Sequence, residues 1–502
     1  MTTRLLAHSP YHPVRPGLLP PRARAITRAA RRVLRANWCG GSTVPSRGLY
    51  PHQWSWDSAF IAIGQRHLDP ARARRELRTL FAAQWSDGRV PHIVFHPDVP
   101  LGAYFPSPDF WRSSHHGAGR GAPSAAETSG IVQPPVHALA AWLVHRADPE
   151  GSAAEGFLAG LHPALLAWQN YLTGPRDLGG GGLAAIVHPW ESGMDNSPAW
   201  DRPLARITPA NPRGFRRADL DHGAADDRPT DLDYGRYVRL AADYRDRDYD
   251  DATAPHPFAV EDPGLNALLI ASEHALGDIA DALGLDGAAH RAGARRRTGA
   301  LVDRLWNPHT GLFHPRDLVG ERLLPERGAA GLLPLIAPDL PAQAVTELRR
   351  TLAGPHFGLG TSTRLVPSHD LLGPAFDPSR YWRGPAWFNV NWLVERGLRL
   401  HGAEREARDL RTAAVTAAAG SGFAEYLDPH TLAAHGTREF GWTAALTVDL
   451  LATDAQTTDG HRAAGVPHTA AGHPAVLRRG GGSRTVPDGA TAGDDGTAAG
   501  TS

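Results

Sequence analysis

The chain has 502 residues, is 42% hydrophobic with 14 tryptophans, and carries 52 basic and 52 acidic side chains. Charges that cancel give no pointer to nucleic acid or an anionic membrane surface as a partner, while the apolar content is ample for a large core. The single cysteine, Cys39, excludes an internal disulfide and any cysteine-based metal site.

All 52 basic residues are arginine, and Ala, Gly and Pro abound, as GC-rich coding would produce. Residues 1–20 mix Arg and Pro without the apolar run of a signal peptide and read as an N-terminal extension. No stretch approaches 18 uncharged apolar residues, so no membrane span is predicted and a cytoplasmic protein is expected. Helical patterns then follow one another at 23–37, 57–68 and 70–84. After Glu127, Val132, Val136, Leu139 and Leu143 recur at i, i+4, i+7 and i+11. Further helices are predicted at 154–172 and 231–244. Leu265, Leu268, Leu276, Ile279 and Leu283 mark another, which runs into Ala288–Leu305. The pattern ends with 322–334, 340–353, 384–401, 403–419 and 440–453, with glycines at Gly284–Gly287 and Gly397–Gly402 marking turns between antiparallel helices.

About a dozen helices in hairpins, with almost no alternating strand pattern, predict an all-α chain closed into a double ring of helices. An irregular solenoid is the alternative, but no 34- or 40-residue repeat is present. Long loops at 85–126, 174–230 and 355–383 are rich in Trp, His, Pro and acids, and loops of that length are uncommon unless functional. Residues 454–502 are Gly, Ala, Thr and Asp with few apolar side chains and are expected to be a disordered tail. That leaves 21–453 as one barrel domain.

Four segments gather aromatics and acids: Tyr50-Pro-His-Gln-Trp-Ser-Trp-Asp57, His188–Pro198, Tyr381-Trp-Arg-Gly-Pro-Ala-Trp387 and Phe423–Pro429. Any one of Trp54, Trp56, Trp190, Trp382 and Trp387 would serve equally as a core plug at the barrel end. As a set, flat aromatic faces with a few polar groups describe a sugar pocket. Glycoside hydrolysis needs two carboxyl groups, one to protonate the leaving oxygen and one to activate water or attack. Glu191, Asp195, Glu425, Asp428 and Glu439 are the candidates, and the residue pattern does not choose among them. His92 and His96 stand at i, i+4 without the glutamate of a zinc-protease helix, and neither a Gly-x-Ser-x-Gly elbow nor a phosphate-binding loop occurs. Neither a metal nor a cofactor is expected.

Tyr50–Asp57, Glu127–Pro135, His188–Ser197, Tyr381–Trp392 and Phe423–Thr443, in order along residues 20 to 453, together resemble the mannosylglycerate and glucosylglycerate hydrolases of glycoside hydrolase family 63. The resemblance implies an (α/α)6 barrel and a small-molecule glycoside substrate. It makes Asp195 the general acid and Glu425 the general base of an inverting reaction, with carboxyls about 6.5–9.5 Å apart. Tyr50, Trp54, Trp56, Asp57 and Gln133 would hold the sugar, Tyr381, Trp382 and Trp387 would complete the pocket, and His92 would lie nearby. Arg228 and Tyr234 match the pair that grips the glycerate carboxylate. Thr230 and Asp233 resemble a capping box, which sets Arg228 just before a helix N-terminus, where the dipole favours an anion. Three departures bear on the acceptor side: Glu439 where Gln is expected, Leu432 where Gly is usual, and an expanded loop at 112–126.

Two other functions fit the same barrel: a broader α-glucosidase or trehalase-like hydrolase, and a non-catalytic sugar-binding protein. Retention of both carboxylates argues against the last. Arg228 separates the first two, since a neutral aglycone needs no cation. The alternative for Arg228 is a surface ion pair with Asp226 or Asp227.

Overall fold

The computed structural model describes residues 20–221, 225–252 and 255–463. Twelve helices of ten or more residues are found among them. They are α1 (Pro21–Ala36), α2 (Ser55–Gln65), α3 (Pro70–Phe81), α4 (His137–Ala147), α5 (Phe157–Thr173), α6 (Asp231–Arg245), α7 (Pro263–Ala282), α8 (Ala288–Leu305), α9 (Ala342–Ala353), α10 (Phe388–Leu400), α11 (Glu404–Gly420) and α12 (Gly441–Ala463). None is long and apolar enough to cross a membrane. Contacts divide the chain at 458: the first unit holds everything described below, and the described part of the second is the last turn of α12.

Six elements form an inner ring. α2 packs on α4, α4 on α7, α7 on a 3-10 helix at Ala329–Ile336, and that element on α10. α12 completes the circuit through Asp449, whose carboxylate takes the Trp392 indole N–H of α10 at 2.8 Å and Arg66, just after α2, at 2.7 Å. A Cβ on Gly64 of α2 would lie 2.0 Å from the Ala445 carbonyl oxygen of α12, so only glycine lets these two helices touch. α1, α3, α5, α8, α9 and α11 alternate with the inner elements along the chain and form the outer layer. Side-chain pattern sorts the layers. Every residue of α2 is buried, Asp57 and Gln65 included, whereas α3 buries Ala73, Leu77, Leu80 and Phe81 along one side and exposes Arg75 on the other. The (α/α)6 architecture is as expected.

Local departures have identifiable causes. α4 starts at His137 and not near Val132, because Pro134 and Pro135 carry no N–H and bias the preceding backbone away from helix. The predicted helix 322–334 divides into a strand, Arg322–Leu323, and the 3-10 helix 329–336, which Pro334 interrupts. Gly397 lies inside α10, against Leu335, and not in a turn. α12 runs to Ala463, past the expected boundary at 453. Of the expected extension at 1–20, residues 1–19 lie outside the described residues, as do residues 464–502 of the tail expected at 454–502, whose first ten residues continue α12.

Short antiparallel strands gather at one end of the barrel and lead into inner helices: Gln53–Trp54 into α2, Val260–Glu261 into α7 and Ala386–Trp387 into α10. The barrel mouth is therefore made of the N-terminal ends of inner helices and the loops between them.

Candidate active site

A cleft of about 810 Å³ opens at this mouth. The sequence-predicted residues Tyr50, Trp54, Trp56, Asp57, His92, Gln133, Asp195, Arg228, Tyr234, Tyr381, Trp382, Trp387 and Glu425 all line it.

Glu425 precedes the strand Tyr426–Leu427, which is paired on both sides: Tyr426 lies opposite Trp387 on one neighbour and His435 on the other. Its carboxylate accepts the Thr437 N–H at Oε2 (3.1 Å) and the Tyr50 hydroxyl at Oε1 (2.9 Å). A Cβ at Gly436 would stand 2.4 Å from Oε2, so the chain crosses over the carboxylate with no room to spare. Phe423, two residues before it, holds a left-handed φ of 56°, the kind of backbone strain that persists where surrounding structure enforces it. Burial raises the Glu425 carboxyl above the usual range, and the Arg228 charge opposes it.

Asp195 follows the short 3-10 turn Pro189–Ser192. The Trp200 indole donates to the Met194 carbonyl and the Tyr237 hydroxyl to the Asp195 carbonyl, both at 2.8 Å, which fixes this loop. Burial pushes the Asp195 carboxyl up to about 7, a value suited to a proton donor near neutral pH; Arg228 pulls it down, while Glu425 and Asp219 add to the rise. Asp57, on the first turn of α2, is also held well above the usual range by burial and by the negative charge of Glu425.

The other candidate carboxylates are committed elsewhere. Glu191 is fully buried, takes Arg176 through two 2.7 Å contacts, and accepts the Val132 and Val187 N–H groups, so it is a structural anchor. Asp428 accepts the N–H groups of His430 and Thr431 at the end of its strand. Glu439 is exposed with φ 53°, and Leu432 holds φ 61°, a conformation that glycine would adopt without strain. No residue of 112–126 lines the cleft.

Aromatic walls surround the acids. Trp56 meets Trp442 edge-on at 5.3 Å, and Tyr50 is wedged between Trp54 and Phe440. The indole nitrogens of Trp382, Trp387 and Trp442 and the His92 Nδ1 are buried without a partner among the described residues. Such groups leave hydrogen bonds for a ligand to complete. Burial lowers the His92 imidazole to about 3, which keeps it neutral. Gln133 accepts the Trp56 N–H through Oε1, leaving its amide nitrogen to the cleft.

Arg228 is only 7% exposed. Its Nη1 donates to the Tyr50 hydroxyl at 3.1 Å, and its guanidinium lies 4.7 Å from the Tyr381 ring centroid. The alternative of a surface ion pair does not hold: Asp227 faces His435 at 3.3 Å, and Arg228 has no carboxylate partner among the described residues. Thr230 caps α6 as expected, accepting the Asp233 N–H at 3.1 Å. The Tyr234 hydroxyl donates to the Phe105 carbonyl at 3.0 Å, so it offers a ligand only its lone pairs.

Trp190, one of the tryptophans read as a sugar pocket, lines the cleft as well, and so do Tyr104, Phe105, Asp219, Phe440 and Trp442, none of which sequence pattern assigns a ligand contact. Phe440 and Trp442 stand inside the segment Phe423–Thr443 and are within reach of such reasoning. Tyr104 and Asp219 come from long loops whose path no periodicity reveals, and Asp219 is paired with Arg217.

Residues 50–443 match the model of the mannosylglycerate hydrolase MGH1-like glycoside hydrolase domain. A mannosylglycerate hydrolase of Rubrobacter radiotolerans is 40% identical over 436 residues, 86% of this chain and 98% of that protein. A glucosylglycerate hydrolase of Mycolicibacterium hassiacum is 35% identical over 435 residues, 84% and 96% of the two chains. Among solved structures, the family 63 mannosylglycerate hydrolase of Thermus thermophilus, in complex with Tris and D-glycerate, superimposes with a TM-score of 0.77 at 40% identity, covering 84% of this chain and 99% of that one.

Proposed function

Because the chain belongs to the mannosylglycerate hydrolase MGH1-like glycoside hydrolase family, we propose that it cleaves the α-glycosidic bond of glucosylglycerate or mannosylglycerate with inversion. Asp195 gives its proton to the glycosidic oxygen as the bond from that oxygen to the anomeric carbon breaks. Water attacks the same carbon from the opposite face and gives a proton to Glu425. The products are a sugar of inverted anomeric configuration and free glycerate, and the carboxyl pair is set for a fresh proton exchange with solvent. Trp54, Trp56, Asp57 and Gln133 hold the sugar ring, with Trp382 and Trp387 as its wall.

The observation that carries this reading is Arg228: a buried cation without a carboxylate partner among the described residues, in the same cleft as Asp195 and Glu425. A charge desolvated in this way calls for an anion. Relatives that bear glycerate in their names, and one solved with D-glycerate, point to a glycerate carboxylate as that anion.

The test is incubation of the pure enzyme with both glycosylglycerates, trehalose and maltose, with the released sugar measured. Preference for a glycosylglycerate is expected. Preference for trehalose or maltose would hand the site to a broader α-glucosidase, and release from none of them to a sugar-binding protein.

A further inference from the structure

Arg228, Tyr50 and Glu425 form a chain: guanidinium N–H to phenol oxygen at 3.1 Å, and phenol O–H to carboxylate at 2.9 Å. The phenol thus accepts from the Arg228 guanidinium and donates to the base, and its ring is gripped by Trp54 and Phe440. We infer that this chain couples the charge of the aglycone to the protonation of the catalytic pair, so that an anionic substrate tunes the carboxyls that hydrolyse it. The inference rests on the functional reading above and goes further, because it assigns Arg228 a part in turnover and not only in binding.

The physical basis is the field of one charge. The Arg228 charge opposes the effect of burial on both Glu425 and Asp195. A carboxylate seated on its guanidinium cancels most of that field. Glu425 then holds a proton more tightly, which makes it a stronger base toward the attacking water. Asp195 stays protonated to higher pH, as an acid must. A neutral aglycone leaves the cation bare and both groups where they were. The other groups bearing on Glu425 are Tyr50, Tyr381, Tyr426, Asp57 and Asp195, with the Asp227–His435 pair behind Tyr426. Only Arg228 among them is a cation facing the cleft.

The experiment is a set of pH profiles on the intact enzyme with glucosylglycerate and with its neutral glycerol analogue. For the anionic substrate both limbs of the kcat profile should lie higher than those of kcat/KM, by on the order of one pH unit for a unit charge in a partly shielded site. For the analogue the two profiles should coincide. Arg228→Met should raise both limbs of the kcat/KM profile even with the analogue, since the field is then absent in the free enzyme. Tyr50→Phe keeps the ring and removes the bridging oxygen, so the spread between the two substrates should narrow. Coincident kcat limbs for the two wild-type substrates would overturn the coupling. So would an Arg228→Met enzyme that binds glucosylglycerate more weakly without moving either limb: Arg228 would then be a clamp alone, and the functional reading would stand. Failure to hydrolyse any glycosylglycerate would instead remove that reading.

Discussion

The indole rings of Trp382 and Trp387 stack face to face, 3.9 Å between centroids with 1° between their planes. Tyr426 stacks on Trp387 at 4.6 Å, and His435 lies parallel to Tyr426 at 6.1 Å, following the cross-strand register of the small sheet. This aromatic ladder, of the kind that stabilises paired strands, ends at the cleft. Trp382 holds a left-handed φ of 59°, unusual for so large a side chain, and the stack holds it there. Trp382→Ala should raise KM for the glycoside by roughly tenfold or more and lower stability by about 3–5 kcal/mol. Steady-state kinetics and urea unfolding check both, and an unchanged KM would remove Trp382 from the sugar site.

Asp195→Asn and Glu425→Gln should each lower kcat by about 10²–10⁴-fold with the fold intact by circular dichroism. Proton NMR of the first product should show the β-anomer from an α-linked substrate. Early accumulation of the α-anomer would refute inversion, whatever the two variants do.

Burial raises the Asp195 carboxyl from its ordinary range to about 7. Activity requires it protonated, so the rate should fall as pH rises through that region, while the acidic limb belongs to Glu425. The same shift bears on stability. A raised carboxyl contributes stability that is present below its unfolded value near 4 and lost as pH climbs toward 7. Asp195→Asn removes that loss, so its melting temperature should exceed wild type by a margin that grows from about pH 4 to 7 and then levels. The expected gain at about pH 8 is on the order of 1–3 kcal/mol. A stability difference from wild type that is the same at low and high pH, measured by calorimetry, would contradict it.

Arg228→Ala should lose roughly 10–150-fold in kcat/KM toward a glycosylglycerate, the worth of a charge-assisted contact of about 1.5–3 kcal/mol. Toward the glycerol analogue the loss should be far smaller. Equal losses on both substrates would make the residue structural.

The helical ring is legible in the chain because its signal is periodic: a run of amphipathic helices with glycines between them predicts the double ring, and the all-round burial of α2 beside the one-sided burial of α3 then sorts its layers. Where proline intervenes, at Pro134–Pro135 and Pro334, side-chain period and backbone hydrogen bonding part, and the predicted helices there shift or change type. The acids need three dimensions. Glu191 and Asp195 are four residues apart in one motif, yet a single buried arginine, Arg176, from outside that motif takes Glu191 out of the chemistry. Nothing local in the chain distinguishes a carboxylate with such a partner from one without. Tyr104 and Asp219 are invisible for a related reason: their loops reach the cleft by tertiary packing alone.

The contact between α2 and α12 also has a temporal meaning. The first inner helix to be synthesised waits for the last, and Asp449 is the stitch that takes Arg66, His67 and Trp392 together. Until that seam is sewn, a nascent chain carries an apolar α2 with one flank uncovered, and its acid loop forms well before Glu425 emerges. Ribosome-bound chains halted before Gly441 should be cut by protease within α2, whereas chains halted far enough on to expose Asp449 should resist. Vectorial synthesis would then deliver the ability to bind sugar and the ability to cleave it together, at the end, with no half-built hydrolase along the way.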